Sequence, residues 1–350
     1  MGRGSALAMV MLVRLGEVAN RTFVLPLLIF YPTGRCNSRC VSCDWWRHEG
    51  ADDLTMKEIQ EVAAALPALG TRIVAFSGGE PLLRPDVFRA TCAFRGQGMG
   101  LHLLTSGVLL ERFAPSVAEC FERVTISLDA TTEALYQAVR GVAALATVEK
   151  GVTRLRRLAP QVPVTARATL HRANFRELPK LIEHAKAMAV DGISFLAADV
   201  SSTAFGRARP PDGGLLRLGP AEIAEFETLV EETIARYRDD FESGFVSGSP
   251  EALRRLPKYY AALHADAAAV STFPPVACNA PWVSVVLEAD GSVRPCFFHE
   301  AIGNVRRAPL ASILTDNLRV FRRGLDVSTN AVCRRCVCSL RTGWRSAPWQ

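Results

Sequence analysis

Little in this 350-residue sequence points toward a membrane or a nucleic acid. The apolar run near the N-terminus, Ser5 to Val13, is too short to cross a bilayer and lacks a small-residue cleavage site. It continues through Arg14 and Glu17 toward the first strand, so neither an anchor nor an export signal is expected. Met1-Gly2 is followed by Ala6 at the position where myristoylation needs Ser or Thr. The net charge of +6 is spread along the chain, with no basic run and no aromatics interleaved among basic residues, which argues against nucleic-acid binding. Internal repeats and low-complexity tracts are lacking as well. Ten cysteines in a chain of this length fall far below the density of a disulfide scaffold. Eight of them sit in two groups, while Cys92 and Cys120 stand alone in helical stretches and are expected to be small core residues. Grouped cysteines without disulfide density imply metal in a reducing cytoplasm. The 49% apolar and 22% charged content suits a packed globular protein with one large domain and a small one.

From residue 24 onward, short β-rich apolar runs alternate with helical stretches, the pattern of βα units around a parallel sheet. Six strands are predicted: Val24 to Phe30, Arg72 to Ser77, Leu101 to Thr105, Val124 to Leu128, Val164 to Thr169 and Ile193 to Ala197. Thr55-x-x-Glu58 reads as a capping box opening a helix to Leu66, Pro85-Asp86 opens another, and Asn174 is expected to cap one reaching Met188. Ser201 to Gly219 has the Gly and Pro content of a linker. Helices follow over Ala221 to Arg238 and Pro250 to Ala269, then a hairpin, Val283 to Leu287 and Val293 to Cys296, around Asp290-Gly291. A short helix near Leu310 to Arg323 precedes the last cysteines. The expected division is an N-terminal segment 1–23, a core 24–198, a linker and helical segment 199–274, and a cysteine-rich domain 275–350. The fold class is α/β, a partial (β/α)6 TIM-type barrel with a small C-terminal α+β extension.

Two constellations carry chemistry. In Gly34-Arg35-Cys36-Asn37-Ser38-Arg39-Cys40-Val41-Ser42-Cys43, three thiols follow the first strand with C-x3-C-x2-C spacing. A structural zinc site or ordinary ferredoxin-type cluster takes four protein ligands, so three leave one metal position open, and an open position means chemistry. Zinc knuckle, disulfide pair with a spare thiol, and neighbouring buried cysteines are the other readings of the triplet. The second strand runs into Gly78-Gly79-Glu80-Pro81, where two glycines admit a close ligand and a carboxylate can accept from an ammonium group. At the C-terminus, Cys278, Cys296, Cys333, Cys336 and Cys338 form the second group.

The triplet, with Phe76-Ser77-Gly78-Gly79-Glu80-Pro81-Leu82-Leu83-Arg84, resembles the radical S-adenosylmethionine (SAM) superfamily. In that family three cysteines hold a 4Fe-4S cluster whose fourth iron is chelated by SAM, and GGEP binds the SAM amino group. The resemblance implies Cys36, Cys40 and Cys43 as cluster ligands and Gly78, Gly79, Glu80 and Pro81 at SAM. It also implies Ser106 in Thr105-Ser106-Gly107 and Ser127 in Ser127-Leu128-Asp129, the latter near the ribose. Arg140 belongs to an Arg-Gly pair, Arg167 is expected at the SAM carboxylate and Leu196 at adenine. The sequence departs from the family at Ser42, where an aromatic residue usually precedes the third cysteine.

Cys278-x12-Gly291-x4-Cys296 with Cys333-x2-Cys336-x-Cys338 resembles SPASM and Twitch extensions, which carry auxiliary clusters. Five cysteines imply one such cluster, on Cys278, Cys296, Cys333 and Cys336, with Cys338 an alternative fourth ligand; four thiolates would equally bind a structural zinc. Some SPASM enzymes have a basic Asp after the hairpin cysteine, but here it is Phe297, leaving His299, Tyr259, Tyr260, Asp199 and His171 as candidate bases. The expected activity is reductive cleavage of SAM to a 5′-deoxyadenosyl radical that abstracts hydrogen from a small molecule, giving oxidation or rearrangement. A flavodoxin or ferredoxin would supply electrons. The alternatives are a maturase of a ribosomally made peptide and a zinc-binding protein without catalysis. Against the peptide reading, only residues 1–23 precede the first strand; against a molybdenum-cofactor cyclase, the tail ends Ala347-Pro348-Trp349-Gln350 rather than Gly-Gly.

Overall fold

The computed structural model describes residues 3–211, 213–264 and 273–341. All six expected strands form: β1 Leu27–Phe30, β2 Ile73–Phe76, β3 Gly100–Thr105, β4 Arg123–Ser127, β5 Val164–Leu170 and β6 Gly192–Ala197. Each pairs in parallel with the next. Such neighbours need a crossover, and here helices α2 Met56–Ala65, α3 Val87–Arg95, α4 Leu110–Cys120, α6 Leu145–Leu158 and α7 Leu178–Ala187 provide it. The short α5 Glu133–Arg140 follows β4 directly. The result is a partial barrel.

Period-two burial along the strands decides which side chains face the helices. In β5 the residues Val164, Ala166, Ala168 and Leu170 are buried, while Thr165, Arg167 and Thr169 between them are less so. β3 alternates in the same way, with Leu104 on the less buried side. That second face is the concave one, which is why Arg167, Thr169 and Leu104 reach the cavity described below.

The hairpin also forms, as β7 Ser284–Leu287 and β8 Ser292–Arg294, with β9 Gly303–Asn304 beyond it. β7 lies parallel to β1, Leu27 opposite Ser284, so the cysteine-rich extension continues the core sheet as a single nine-stranded sheet. Its apolar run Val285-Val286-Leu287 is fully buried, as a strand covered on both faces must be.

Several expectations need correcting. Ser5 to Val13 belongs to a helix, α1 Arg3–Ala19, which buries Met9, Val10 and Val13. Asn174 caps nothing with its side chain: Nδ2 donates to Asp129 O and Thr169 O, and Oδ1 accepts from His171 N, tying together the ends of β4 and β5. Cys92 is exposed on α3 and not a core residue. The stretch Leu310 to Arg323 contains a π-helical turn over Ile313–Asn317. Pro250–Ala262 is helical, and the continuation expected to Ala269 extends past the described residues, as does the tail from Ala347. The capping box at Thr55 and Glu58 is present, with Glu58 N donating to Thr55 Oγ1 (3.3 Å) and Thr55 N to Glu58 Oε2 (2.7 Å).

Candidate active site

The cysteine triplet occupies the loop after β1, and backbone contacts to two other segments fix its course. Arg39 N donates to Arg140 O (2.8 Å) and Val41 N to Val139 O (3.0 Å), docking the loop on the C-terminal end of α5. Gly141 caps that helix at φ 70°, and a Cβ there would stand 2.5 Å from Arg39 O, so the Arg140-Gly141 pair is a seat for the loop. On the other side Glu80 N donates to Arg35 O (2.8 Å). A Cβ on Gly79 would lie 2.1 Å from Arg35 O, and one on Gly78 2.6 Å from the Tyr31 ring. Both glycines are thus required by close approach of the two loops.

A third segment, after β6, closes over the triplet. Phe205 O accepts from Asp44 N (2.9 Å), and Cys43 Sγ lies 3.5 Å from the same oxygen. Arg207 donates to Ser42 O while its Nη1 meets Asp199 Oδ2 at 2.9 Å, a pair almost wholly removed from solvent.

These segments enclose a cavity of about 230 Å3 at the C-terminal ends of the strands. Cys36, Cys40, Cys43, Gly78, Gly79, Ser106, Ser127, Arg140, Arg167 and Leu196 all line it, so the structure gathers in one place residues spread over 161 positions of sequence (36 to 196). Asp129, Thr169, Asp199 and the aromatics Tyr31, Trp45, Phe205 and Phe297 complete the wall. Phe297 is roughly parallel to Tyr31 and to Phe205, with ring centroids 6.4 Å from each. Sequence reasoning missed this aromatic wall because its members come from four separate segments, and only Phe297 carried a signal, its place beside Cys296. Val337 and Cys338 also line the cavity, so the C-terminal extension roofs the site.

Glu80 and Pro81 do not reach the cavity. The Glu80 carboxylate is fully buried behind Gly78 and Gly79, where it accepts from Leu82 N (3.1 Å), Thr105 Oγ1 (2.8 Å), Ser106 N (2.7 Å) and Ser106 Oγ (2.6 Å). Its lone pairs are engaged within the protein. Asp129 likewise holds Arg140 Nη1 (2.8 Å) and Thr169 N (2.7 Å).

Of the candidate bases only Asp199 lines the cavity. Tyr260 donates to Leu170 O (2.5 Å) and accepts from Ala198 N (2.9 Å), and Tyr259 accepts from Val200 N (3.4 Å), so both brace the backbone after β5 and β6. His299 lies among the C-terminal cysteines, with Nε2 3.3 Å from Cys333 Sγ. His171 is buried under the strand ends, its Nδ1 facing Ala173 N at 3.3 Å. Burial lowers its pKa to about 4. The folded chain therefore declines a proton that the unfolded chain accepts near the ordinary value of 6.5. Stability should be complete above that value and fall by on the order of 3 kcal/mol as pH drops toward 4. Half-buried His102, also lowered to about 4, adds to the slope. Denaturant melts across this window should show a shallower loss for His171→Phe; an unchanged slope would remove His171 as a source.

Burial also holds the triplet thiols protonated, Cys36 pushed up to about 11 and Cys43 to about 12. Metal must displace those protons, so cluster assembly releases them. Among the described residues no three His, Cys, Asp or Glu side chains close around a single ion. In a cubane each thiolate takes a different iron, which asks for wider spacing than one zinc does. Three thiols on a cavity wall that also includes Gly78 and Gly79 fit a cluster with one iron left to a small molecule.

A strand-end loop with three cysteines over a partial barrel, roofed by a second cysteine group, defines an iron–sulfur enzyme of the SAM-cleaving type. The family model of the radical SAM superfamily matches residues 30–185, and that of the SPASM iron-sulfur cluster-binding domain matches residues 278–337. The chain therefore carries a radical SAM domain followed by a C-terminal SPASM iron-sulfur domain. The first domain binds a 4Fe-4S cluster and SAM, and the second binds auxiliary iron–sulfur clusters. The chain is similar to the PqqA peptide cyclase of Rhodopseudomonas palustris, 28% identical over 299 residues that cover 83% of this chain and 72% of the relative. It is also similar to the GTP 3′,8-cyclase of Marinobacter nauticus, 28% identical over 64% of this chain and 66% of that protein. The structure of Streptococcus suis SuiB bound to its precursor peptide SuiA shares the fold, with a TM-score of 0.66 at 14% identity over 93% of this chain and 74% of SuiB. No helix among the described residues is long and apolar enough to cross a membrane.

Proposed function

We propose that this enzyme matures a ribosomally synthesised peptide, taking a hydrogen atom from a peptide side chain. The observation that carries the reading is the reach of the similarity to PqqA peptide cyclase, which runs over 83% of the chain. The small-molecule reading expected from sequence stands second, supported by the GTP 3′,8-cyclase relative over 64%. Beyond Trp45 an open groove of about 570 Å3 adjoins the cavity, bounded by the segments 44–53, 203–208 and 288–294.

In this reading Cys36, Cys40 and Cys43 hold the cluster, and the Gly78-Gly79 backbone, Ser127, Arg167 and Leu196 border SAM. When bound, the reduced cluster supplies the electron that cleaves the sulfonium and yields the 5′-deoxyadenosyl radical. The chain's own part is positioning and exclusion of water: the aromatic wall shields the cavity, and Arg207 and Arg140 fix the cysteine loop from two sides. Glu80 acts behind the wall, holding the glycines in register. The test is to supply the reconstituted enzyme, SAM and dithionite with the peptide encoded beside its gene and, separately, with GTP. Peptide-dependent 5′-deoxyadenosine and a peptide lighter by two hydrogen atoms are expected. An inert peptide with turnover on GTP would overturn the reading.

The auxiliary ligands are proposed as Cys278, Cys296, Cys333 and Cys336. Ala280 N donates to Cys278 Sγ and Cys338 N to Cys336 Sγ, each at 3.4 Å, and the backbone N–H groups of Phe298 and His299 face Cys296. His299 serves Cys333. Such bonds are what thiolates on iron need. Cys338 is close to Cys278 but also lines the SAM cavity, and among the described residues no N–H donates to its sulfur. Iron and sulfide analysis should therefore find the auxiliary cluster intact in Cys338→Ala and lost in Cys336→Ala, and the reverse pattern would exchange the two roles.

A further inference from the structure

His299 entered as a candidate base, yet it stands away from the cavity with Nε2 3.3 Å from Cys333 Sγ. Its position is tightly determined. The ring packs edge-on against Phe321 with centroids 4.8 Å apart, its backbone oxygen accepts from Arg294 Nη1 (3.1 Å), and Arg294 is in turn fixed by Glu288 Oε2 at 2.7 Å. Only 8% of the residue is exposed.

We propose that His299 is a positioning residue that donates an N–H···S bond to Cys333 and thereby raises the reduction potential of the auxiliary cluster. The inference rests on the reading that Cys333 ligates that cluster. A thiolate bound to iron has lone pairs and no proton, so the ring nitrogen facing it must carry the hydrogen. That sets the Nε2–H tautomer. The bond draws electron density from sulfur, and the reduced cluster, one charge more negative, gains more from it than the oxidised one. Cys278 and Cys336 receive their bonds from backbone amides, which no side-chain change removes. At Cys333 the donor is a side chain. One residue can therefore set how readily the auxiliary cluster accepts an electron, and hence how far hydrogen abstraction is carried toward net oxidation.

The experiment uses the full chain with Cys36, Cys40 and Cys43 replaced by alanine, so that one cluster remains to be titrated. Parent, His299→Phe and His299→Gln are compared by iron content and by EPR-monitored reductive titration. Phe keeps the ring against Phe321 and removes the N–H, whereas Gln keeps a donor of similar reach. The expected result is equal iron in all three, a midpoint moved to more negative potential in His299→Phe, and a return toward the parent value in His299→Gln. An unchanged midpoint in a fully loaded His299→Phe overturns the proposal, as does loss of iron from both variants, which would make His299 a ligand or a structural post. A parent that holds zinc, or no metal, refutes the cluster reading itself before His299 is touched, and the inference falls with it.

Discussion

Replacing Cys36, Cys40 and Cys43 together with alanine should abolish reductive cleavage of SAM, leaving no 5′-deoxyadenosine above background with dithionite. These are the three thiols that a single loop presents to the cavity, and in the proposed reading the cluster they would hold is the electron donor to the sulfonium. The loop itself should survive. Its course is set by backbone bonds to Val139, Arg140, Glu80 and Phe205, none of which involves a sulfur, and the side chains lost are small. With one auxiliary cluster, the intact protein should hold about eight irons and the triple variant about four, since each cubane carries four. The remaining absorbance should belong to the SPASM domain. Continued formation of 5′-deoxyadenosine would show that the open cluster sits elsewhere. About four irons in the wild type, with zinc making up the difference, would make the extension structural; about twelve would mean a second auxiliary cluster with a ligand from outside the five cysteines.

The Glu80→Gln change should destabilise the protein even before any cofactor is bound. As an exposed partner for the SAM ammonium, Glu80 would leave the melting of the apo chain unaffected when neutralised. The structure gives it a different employment. Two hydroxyls and two amides from Leu82, Thr105 and Ser106 converge on a carboxylate with no exposure, linking the end of β2 to the end of β3. Gln presents an amide NH2 to at least one of these donors, so a charge-assisted bond is lost and a buried donor is left facing another donor. The two effects together should cost about 3 kcal/mol. Denaturant unfolding of the apo protein reads this directly. SAM affinity should fall as well, because Gly78 and Gly79 lean on the cysteine loop and lose their backing. Weakened SAM binding with unchanged apo stability would return Glu80 to the role of direct ligand.

Much of this protein was legible in the sequence, for reasons that are local. Strand periodicity is a property of a few adjacent residues, so all six core strands and the hairpin could be read within a few positions of their ends. Cysteine spacing is local too, and the triplet with the GGEP turn pointed to the SAM-cleaving class without any coordinates. The capping box at Thr55 needed only its four residues.

What depended on distant parts of the chain could not be read in this way. Thr105, Ser106 and Leu82 claim the lone pairs of Glu80 only because β2 and β3 lie side by side, and no motif written along one strand can record that. Asn174 looked like a helix cap by its place before an apolar run, but the carbonyls of Asp129 and Thr169 outcompete the helix N–H groups once the strand ends are brought together. His299, Tyr259, Tyr260 and His171 are candidate bases as residue types, yet the fold sets each against other partners outside the cavity lining. The same holds for the five C-terminal cysteines. Sequence alone determined that they form a group. Only the pairing of β7 with β1 decided that the group continues the core sheet, and only the fold turned Cys338 to the cavity while Cys333 met an imidazole. The physical reason is that spacing encodes which atoms a loop can offer, whereas the partner of a buried polar atom is chosen by long-range packing.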